Sequence, residues 1–379
     1  MSRAQPARSA SPISDGASGV LRVSMTVEQC WHRVPGGTAT SILGLCAALG
    51  RRDDVDVIGV AARHDAPPTA GFEPPVEVRH LRWSQRALYL GWSTVGRPSV
   101  DAMVGDADVV HATAVAIPPT VRPLVVTIHD LAFLAHPEHA TRWGRFFFRR
   151  GLAKTIAAAR LVACPSQATV DECLAAGIEA ERLRVVPWGL DWEPADDSSV
   201  EAIRSRHELP ERFVLWVGTI EPRKNLPGLL AAYRWLARPE IPLVLVGPQG
   251  WHEVVPDGEP GVRVLGQVPH ADLRALYRAA TVLCYPSLRE GFGLPVLEAM
   301  SQATPVVTSA GTATAEVAGD AALLIDPHDP AAIGAALAEI LDDSLAAAEL
   351  GAAGRRRADI FTWDAAAAAM TDVYREAAR

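Results

Sequence analysis

A chain of 379 residues exceeds one ordinary hydrophobic core and points to two domains, and 49% hydrophobic against 21% charged residues places it among globular rather than disordered proteins. The net charge of −8 argues against nucleic acid as a partner, because phosphate backbones are bound by clustered positive charge. An anionic ligand therefore needs a local site.

Residues 1–19, rich in Ser, Ala, Pro and Gly, read as a disordered tail, neither signal peptide nor membrane anchor. No apolar run reaches the length of about 18 residues expected of a transmembrane helix. Short β-rich apolar runs then recur at 20–25, 55–61, 76–81, 107–111, 124–129, 161–164 and 183–186, with helical patterns at 38–49, 143–160 and 168–176. Strands alternating with helices imply a mostly parallel sheet covered on both faces. Residues 20–190 thus form a first Rossmann-like α/β domain.

Residues 188–199 end in Asp196-Asp197-Ser198-Ser199 and read as a linker. A second series follows, with strands at 213–217, 243–246, 262–265, 282–285, 305–308 and 322–325 and helices at 226–236, 271–279, 294–301 and 331–341. It makes residues 191–360 a second doubly wound domain, and the helix near 363–378, within 361–379, is expected to return to the first. A cleft between two such sheets is where ligands bind.

The chemistry concentrates in two loops of the second domain. Gly218-Thr219-Ile220-Glu221-Pro222-Arg223-Lys224-Asn225 joins a strong strand to a helix, where backbone N–H groups and the helix dipole attract phosphate. Lys154 and Lys224 are the only lysines and Asn225 the only asparagine, so the Lys-Asn pair stands out. In Pro286-Ser287-Leu288-Arg289-Glu290-Gly291-Phe292-Gly293-Leu294-Pro295, the glycines permit close backbone approach to a ligand and Pro295 suits a first helical turn. Glu290 in the loop and Glu298 in the helix can address different parts of an extended ligand. They do not suit the close pair of a glycosidase, which favours transfer from an activated donor over hydrolysis. Either glutamate alone would read as a solvated carboxylate.

Glu290 and Glu298 form an E-x7-E motif, and with the flanking Pro-Ser and Leu-Glu-Ala-Met the segment resembles the signature of the retaining glycosyltransferases of family 4, which have the GT-B fold of two Rossmann-like domains facing a cleft. Gly36-Gly37-Thr38 resembles that family's N-terminal Gly loop, Thr127-Ile128-His129-Asp130-Leu131 its His-Asp segment, and Val186-Pro187-Trp188-Gly189-Leu190-Asp191 its interdomain crossing. The resemblance implies a nucleotide-diphosphate sugar donor, a glycan or lipid-linked acceptor, and neither cofactor nor metal. Glu298 would bind the ribose and Glu290 the donor sugar. Gly37, Gly218 and the amides of Gly291, Phe292, Gly293 and Leu294 would line the donor, Lys224 and Arg223 would neutralise the diphosphate, and His129 would lie at the sugar's reactive face. The catalytic set is then His129, Glu290 and Lys224. The stretch from Thr127 to Phe133 resembles bacterial mannosyltransferases of polysaccharide assembly, which makes GDP-mannose the first choice of donor. A nucleotide-sugar epimerase of the same fold and a non-catalytic nucleotide-sugar-binding subunit are the alternatives. Trp188 stands for a common Asn and Ala303 for a common Gly, and many relatives carry Gly-Arg where this chain has Gly218-Thr219, which weakens the carry-over to Arg223.

Three further signals read blandly. His136-Pro137-Glu138-His139 matches no zinc motif, Asp54-Val55-Asp56 sits where a strand begins and reads as a solvated turn, and Cys30, Cys46, Cys164, Cys173 and Cys284 read as buried thiols of a reducing, cytoplasmic compartment. In 143–150, Trp and Phe alternate with Arg as in interfacial membrane helices. The expected arrangement is aromatics packed inward with Arg in solvent, with peripheral contact at the inner face of the membrane left open.

Overall fold

The computed structural model describes residues 19–135, 141–250 and 258–379. The expected tail, apart from its last residue, and the His136–His139 segment lie outside them. The first unit holds β1 (Leu21–Thr26), α1 (Gly36–Leu49), β2 (Val55–Arg63), β3 (Val78–Ser84), α2 (Gln85–Ser93), α3 (Asp101–Val104), β4 (Val109–Ala112), β5 (Leu124–Thr127), α4 (Ala132–Ala135), α5 (Arg142–Ala158), β6 (Leu161–Cys164), α6 (Gln167–Ala175) and β7 (Leu183–Val185). Its strands are all parallel, in the order β3-β2-β1-β4-β5-β6-β7.

The second unit holds α7 (Asp197–Arg206), β8 (Val214–Val217), α8 (Leu226–Leu236), β9 (Leu243–Val246), β10 (Val262–Gly266), α9 (His270–Ala279), β11 (Val282–Tyr285), α10 (Leu294–Ser301), β12 (Val306–Ser309), α11 (Ala313–Ala318), β13 (Leu323–Ile325), α12 (Pro330–Asp342) and α13 (Ser344–Ala358). Its sheet is also parallel, in the order β10-β9-β8-β11-β12-β13. Both orders reverse direction beside the first strand of the unit, and ligands of open α/β sheets bind at that switch point. The last helix, α14 (Trp363–Ala378), packs on α1, β4, β5 and β6 of the first unit. Arg51–Asp364, Arg184–Glu376 and Arg375–Asp54 tie it there.

The central strands form because their runs are apolar on both faces. Every residue of β5, β6, β8, β9, β11 and β12 is buried, as a sheet covered on two sides requires. The edge strand β3 instead exposes Arg82, Trp83 and Ser84, a charged rim that discourages pairing with another chain. Helix starts follow their caps. Asp329, with Pro330 behind it, accepts from Ala331 and Ala332, and Thr362 accepts from Ala365.

Three expectations need correction. The linker over 188–199 is shorter, because its polar end is a helix start: the Asp196 side chain accepts from the Ser199 N–H and caps α7. Asp54 is not simply solvated, since it pairs with Arg52 and with Arg375 of α14. On α5, Phe147 and Phe148 are half-buried against Tyr89 and Phe133, but Trp143 and Phe146 are 51% and 44% exposed. Ala303 has φ 57, the left-handed region that favours Gly, which fits the glycine common at that position.

Candidate active site

The donor-side residues gather around the switch point of the second sheet, between β8 and β11. After β8 the chain turns at Gly218 and passes through a short 3-10 turn at Pro222–Lys224, then enters α8 from Asn225 in the left-handed conformation (φ 56). The Asn225 amide donates to the carbonyls of Pro286 and Pro327, at 3.1 and 2.7 Å. Aspartate has no such donor, so this lone asparagine fastens the two site loops together.

Lys224, buried at 6% exposure, sends its ammonium to the Tyr285 hydroxyl and to Glu290 Oε1. Arg223 reaches Glu290 Oε2 at 2.8 Å and Glu221 at 2.7 Å. Tyr285 and Ser287 also donate to Glu290 Oε1, at 2.7 and 2.8 Å. Burial alone would raise the Glu290 carboxyl, but Arg223 and Lys224 outweigh it and hold it at about 2. Burial, then the Arg223 charge, lowers Lys224. Both oxygens of Glu290 are thus occupied by protein donors, whereas the family carry-over turns this carboxylate to the sugar.

Glu298 lies apart. Its Oε2 accepts from the buried Tyr277 hydroxyl at 2.7 Å, and burial raises its carboxyl to about 7 against the opposing pull of Tyr277 and Lys224. Between the two glutamates the chain starts α10. Gly293 takes φ 113 and packs on Thr314, and Pro295 has no N–H to place. Among the described residues none accepts a hydrogen bond from the backbone N–H groups of Gly291, Phe292, Gly293 or Leu294. These unpaired donors sit at and just before the N-terminus of α10, where the helix dipole favours an anion.

The first unit supplies the facing wall. His129 follows β5, and its Nε2 donates to the Thr113 carbonyl at 2.7 Å, which leaves Nδ1 as a lone-pair acceptor with no partner among the described residues. Burial lowers its pKa, more than the Thr113 bond raises it, so the ring is neutral at pH 7. The Trp188 ring stands 5.2 Å from His129 and 5.4 Å from Phe292, and it packs on the cores of both units. A Cβ at Gly37 would lie 3.6 Å from Leu294 and 3.8 Å from Trp188.

The structure therefore brings Gly37, His129, Gly291, Phe292 and Leu294 together across the cleft, and Gly218, Arg223, Lys224 and Glu290 together on the second unit. The close approach expected of Gly291 toward a ligand is instead toward protein: a Cβ there would meet the His129 carbonyl oxygen. Sequence reasoning missed Tyr277, Tyr285, Ser166, Thr169, Glu172 and Glu316. The two tyrosines read as ordinary core residues. The others act across the cleft, where no local pattern marks them.

The family model described as Glycosyltransferase Family 4 matches residues 35–193, and that of Glycosyl transferases group 1 matches residues 199–357. The chain is 34% identical to O-antigen chain mannosyltransferase B of Escherichia coli, over 67% of this chain and 70% of that one. It is 31% identical to D-inositol 3-phosphate glycosyltransferase of Xylanimonas cellulosilytica, over 91% and 92%. Among solved structures, Anabaena HepE in complex with UDP and glucose superposes with TM-score 0.73 at 19% identity, over 94% of this chain and all (100%) of that one. Sucrose-phosphate synthase from Thermosynechococcus elongatus gives TM-score 0.73 at 22% identity, over 94% and 98%.

Proposed function

The chain belongs to glycosyltransferase family 4, and within that family we propose that it is a retaining, metal-independent enzyme that moves mannose from GDP-mannose to a glycan or lipid-linked acceptor. It is a glycosyltransferase of the GT-B fold, and both family models are those of transferases, which favours transfer over the epimerase and the binding subunit.

The observation that carries the reading is the set of amides from Gly291 to Leu294 without acceptors among the described residues, in the same loop as Glu290, whose partners Lys224 and Arg223 reach it from the neighbouring loop after β8. As the bond from the sugar to the diphosphate breaks, negative charge grows on the phosphate oxygen. Preorganised amides and cations stabilise that charge and take the place of a metal ion. Glu298 binds the ribose hydroxyls. The neutral His129, with Nε2–H committed to Thr113, keeps Nδ1 as an acceptor that is buried beside Trp188 in the ligand-free site and meets a sugar hydroxyl once the donor enters. When the diphosphate takes over Lys224 and Arg223, Glu290 is released toward the sugar.

Mannose is supported by the relative described as a mannosyltransferase, and the nucleotide site by the neighbour that holds UDP and glucose. A lipid-linked acceptor gains support from α5. It carries Arg142, Arg145, Arg149, Arg150 and Lys154 and no acid, with Trp143 and Phe146 outward. A concavity of about 560 Å³ on this helix, lined by Arg145, Phe146, Arg149, Arg150 and Ala153, suits a peripheral contact with anionic lipid. Among the described residues no helix is long and apolar enough to cross a membrane.

The test is a thermal-shift panel of GDP-mannose, UDP-glucose and their nucleotides, followed by transfer assays with and without EDTA. The reading expects the largest shift with GDP-mannose, activity that survives chelation, and an α-linked product by NMR. Activity lost to EDTA and restored by magnesium would sink metal independence. An inverted anomeric centre would sink retention.

A further inference from the structure

The donor loop is held from the opposite unit, by the first turn of α6. Ser166 Oγ donates to the Gly291 carbonyl at 2.7 Å, and Thr169 Oγ1 reaches the same oxygen at 3.2 Å. In the other direction, Glu316 of α11 accepts from the backbone N–H groups of Gln167 at 2.7 Å and Ala168 at 2.6 Å. One carboxylate thus covers two orphan donors at the positive end of a helix in the other unit. A third tie runs through Glu172, which pairs with Arg289 at 3.1 Å and accepts from the Leu131 N–H at 2.9 Å. It joins the segment that carries His129 to the loop that carries Glu290.

We propose that the first turn of α6 and Glu316 form a cross-cleft clamp that positions the donor loop for transfer, with Glu316, Ser166 and Thr169 as positioning residues. The inference rests on the reading of 289–294 as the donor loop. A peptide unit is planar and trans, so the Gly291 carbonyl and the Phe292 N–H point in opposite directions. Two hydroxyls fixing that carbonyl toward α6 therefore aim the Phe292 N–H away from it. Glu172 sets His129 in register with the same loop. The clamp is complete only when the two units are closed on each other, so it makes an ordered cradle conditional on closure. Water that still occupied an open cleft would then meet an unformed site.

Glu316 is exposed, so Glu316→Ala leaves the core intact. The first measurement is hydrogen exchange on the ligand-free protein. The clamp predicts that in Glu316→Ala the segments 166–169 and 289–294 lose protection together, and that Glu316→Gln, which keeps an acceptor but no charge, falls between. Loss confined to 166–169 would reduce Glu316 to a local cap and overturn the proposal, whatever ligand the loop binds.

The second measurement is kinetics with GDP-mannose and UDP-glucose, beside calorimetry with GDP and UDP. Positioning predicts kcat lower by on the order of 10-fold or more in Glu316→Ala and in Thr169→Val, with affinity for the free nucleotide unchanged. A purely structural role would lower stability and nucleotide affinity together, and that result would also overturn it. If the wild-type protein binds neither nucleotide, the donor-loop reading fails, while the exchange result still decides the clamp.

Discussion

Gly291 packs its α-carbon against the carbonyl oxygen of His129, so closely that a Cβ at residue 291 would stand 1.8 Å from that oxygen. The glycine is needed because two backbones from different units meet there, and not for its dihedral angles. Gly291→Ala must therefore open the cleft or displace the loop. The expected result is kcat lower by on the order of 10²-fold, the scale of an ångström misplacement, with GDP affinity largely kept because the proposed nucleotide-binding groups Glu298, Lys224 and Arg223 all lie on the second unit. Steady-state kinetics and calorimetry check it. Wild-type turnover in this variant would show that the observed closure is not part of the working state.

Much of the fold was legible because buried parallel strands write themselves as apolar runs, as at Leu124–Thr127 and Leu243–Val246. The donor loop was legible because its glycines, proline and two glutamates fall in one segment. The cross-cleft contacts were not. Ser166 and Gly291 lie 125 positions apart, and Ser166 reads locally as nothing more than the N-cap it also is. Lys224 and Asn225 stood out by rarity and by their place between a strand and a helix, which flagged the pair without separating a ligand-facing cation from a fastener of loops. On α5, four aromatics spread over one helix surface give no signal for which pair turns outward. Trp143 and Phe146, three residues apart on one face, are the exposed pair.

The α5 face predicts binding to vesicles that contain phosphatidylglycerol and weak binding to phosphatidylcholine alone. Each cation near an anionic surface contributes on the order of 1 kcal/mol, and this helix presents several with no acid among them. Sedimentation with vesicles should show binding that falls with added salt and weakens in Trp143→Ala/Phe146→Ala, while transfer to a water-soluble acceptor stays unchanged. Equal binding to both lipids, or no binding, would remove the membrane from this account.

If Glu298 holds the ribose as proposed, stability and nucleotide affinity should respond to pH in opposite senses. Burial raises its carboxyl from 4.5 to about 7, so the folded state holds this proton more tightly than the unfolded chain does. Its contribution is complete below the unfolded value and is lost as pH rises through about 7, an effect on the order of 3 kcal/mol. Ribose hydroxyls donate more strongly to the anion than to the neutral acid, so GDP should bind more tightly as pH rises over the same range. Denaturant unfolding and calorimetry between about pH 5 and 8 test both trends. Glu298→Gln should flatten the Glu298 part of each. A Gln variant that keeps the full pH dependence of both would show that other groups cause it.

Glu290 and Lys224 give the sharpest separation of roles, because in the ligand-free site each is the other's counter-ion. Glu290 is ionised at all ordinary pH, held at about 2. Its contribution to stability is therefore present above its unfolded value of 4.5 and is lost only as pH falls toward about 2. Glu290→Gln leaves Lys224 without its carboxylate and Arg223 with Glu221 alone, and breaking a buried pair in this way costs about 3 kcal/mol or more. A nucleoside diphosphate restores the missing negative charge. GDP should accordingly raise the melting temperature of Glu290→Gln by more than it raises that of the wild type, although turnover is impaired because the sugar loses the carboxylate proposed to hold it. Lys224→Ala should do the reverse. It removes the charge that meets the leaving phosphate, so kcat falls by on the order of 10² or more and the extra stabilisation by GDP disappears. Thermal shifts with GDP for the three proteins, beside their kinetics, make the comparison. If GDP fails to stabilise Glu290→Gln, the cations are not the phosphate site, and the division of labour between Glu290 and Lys224 falls with them.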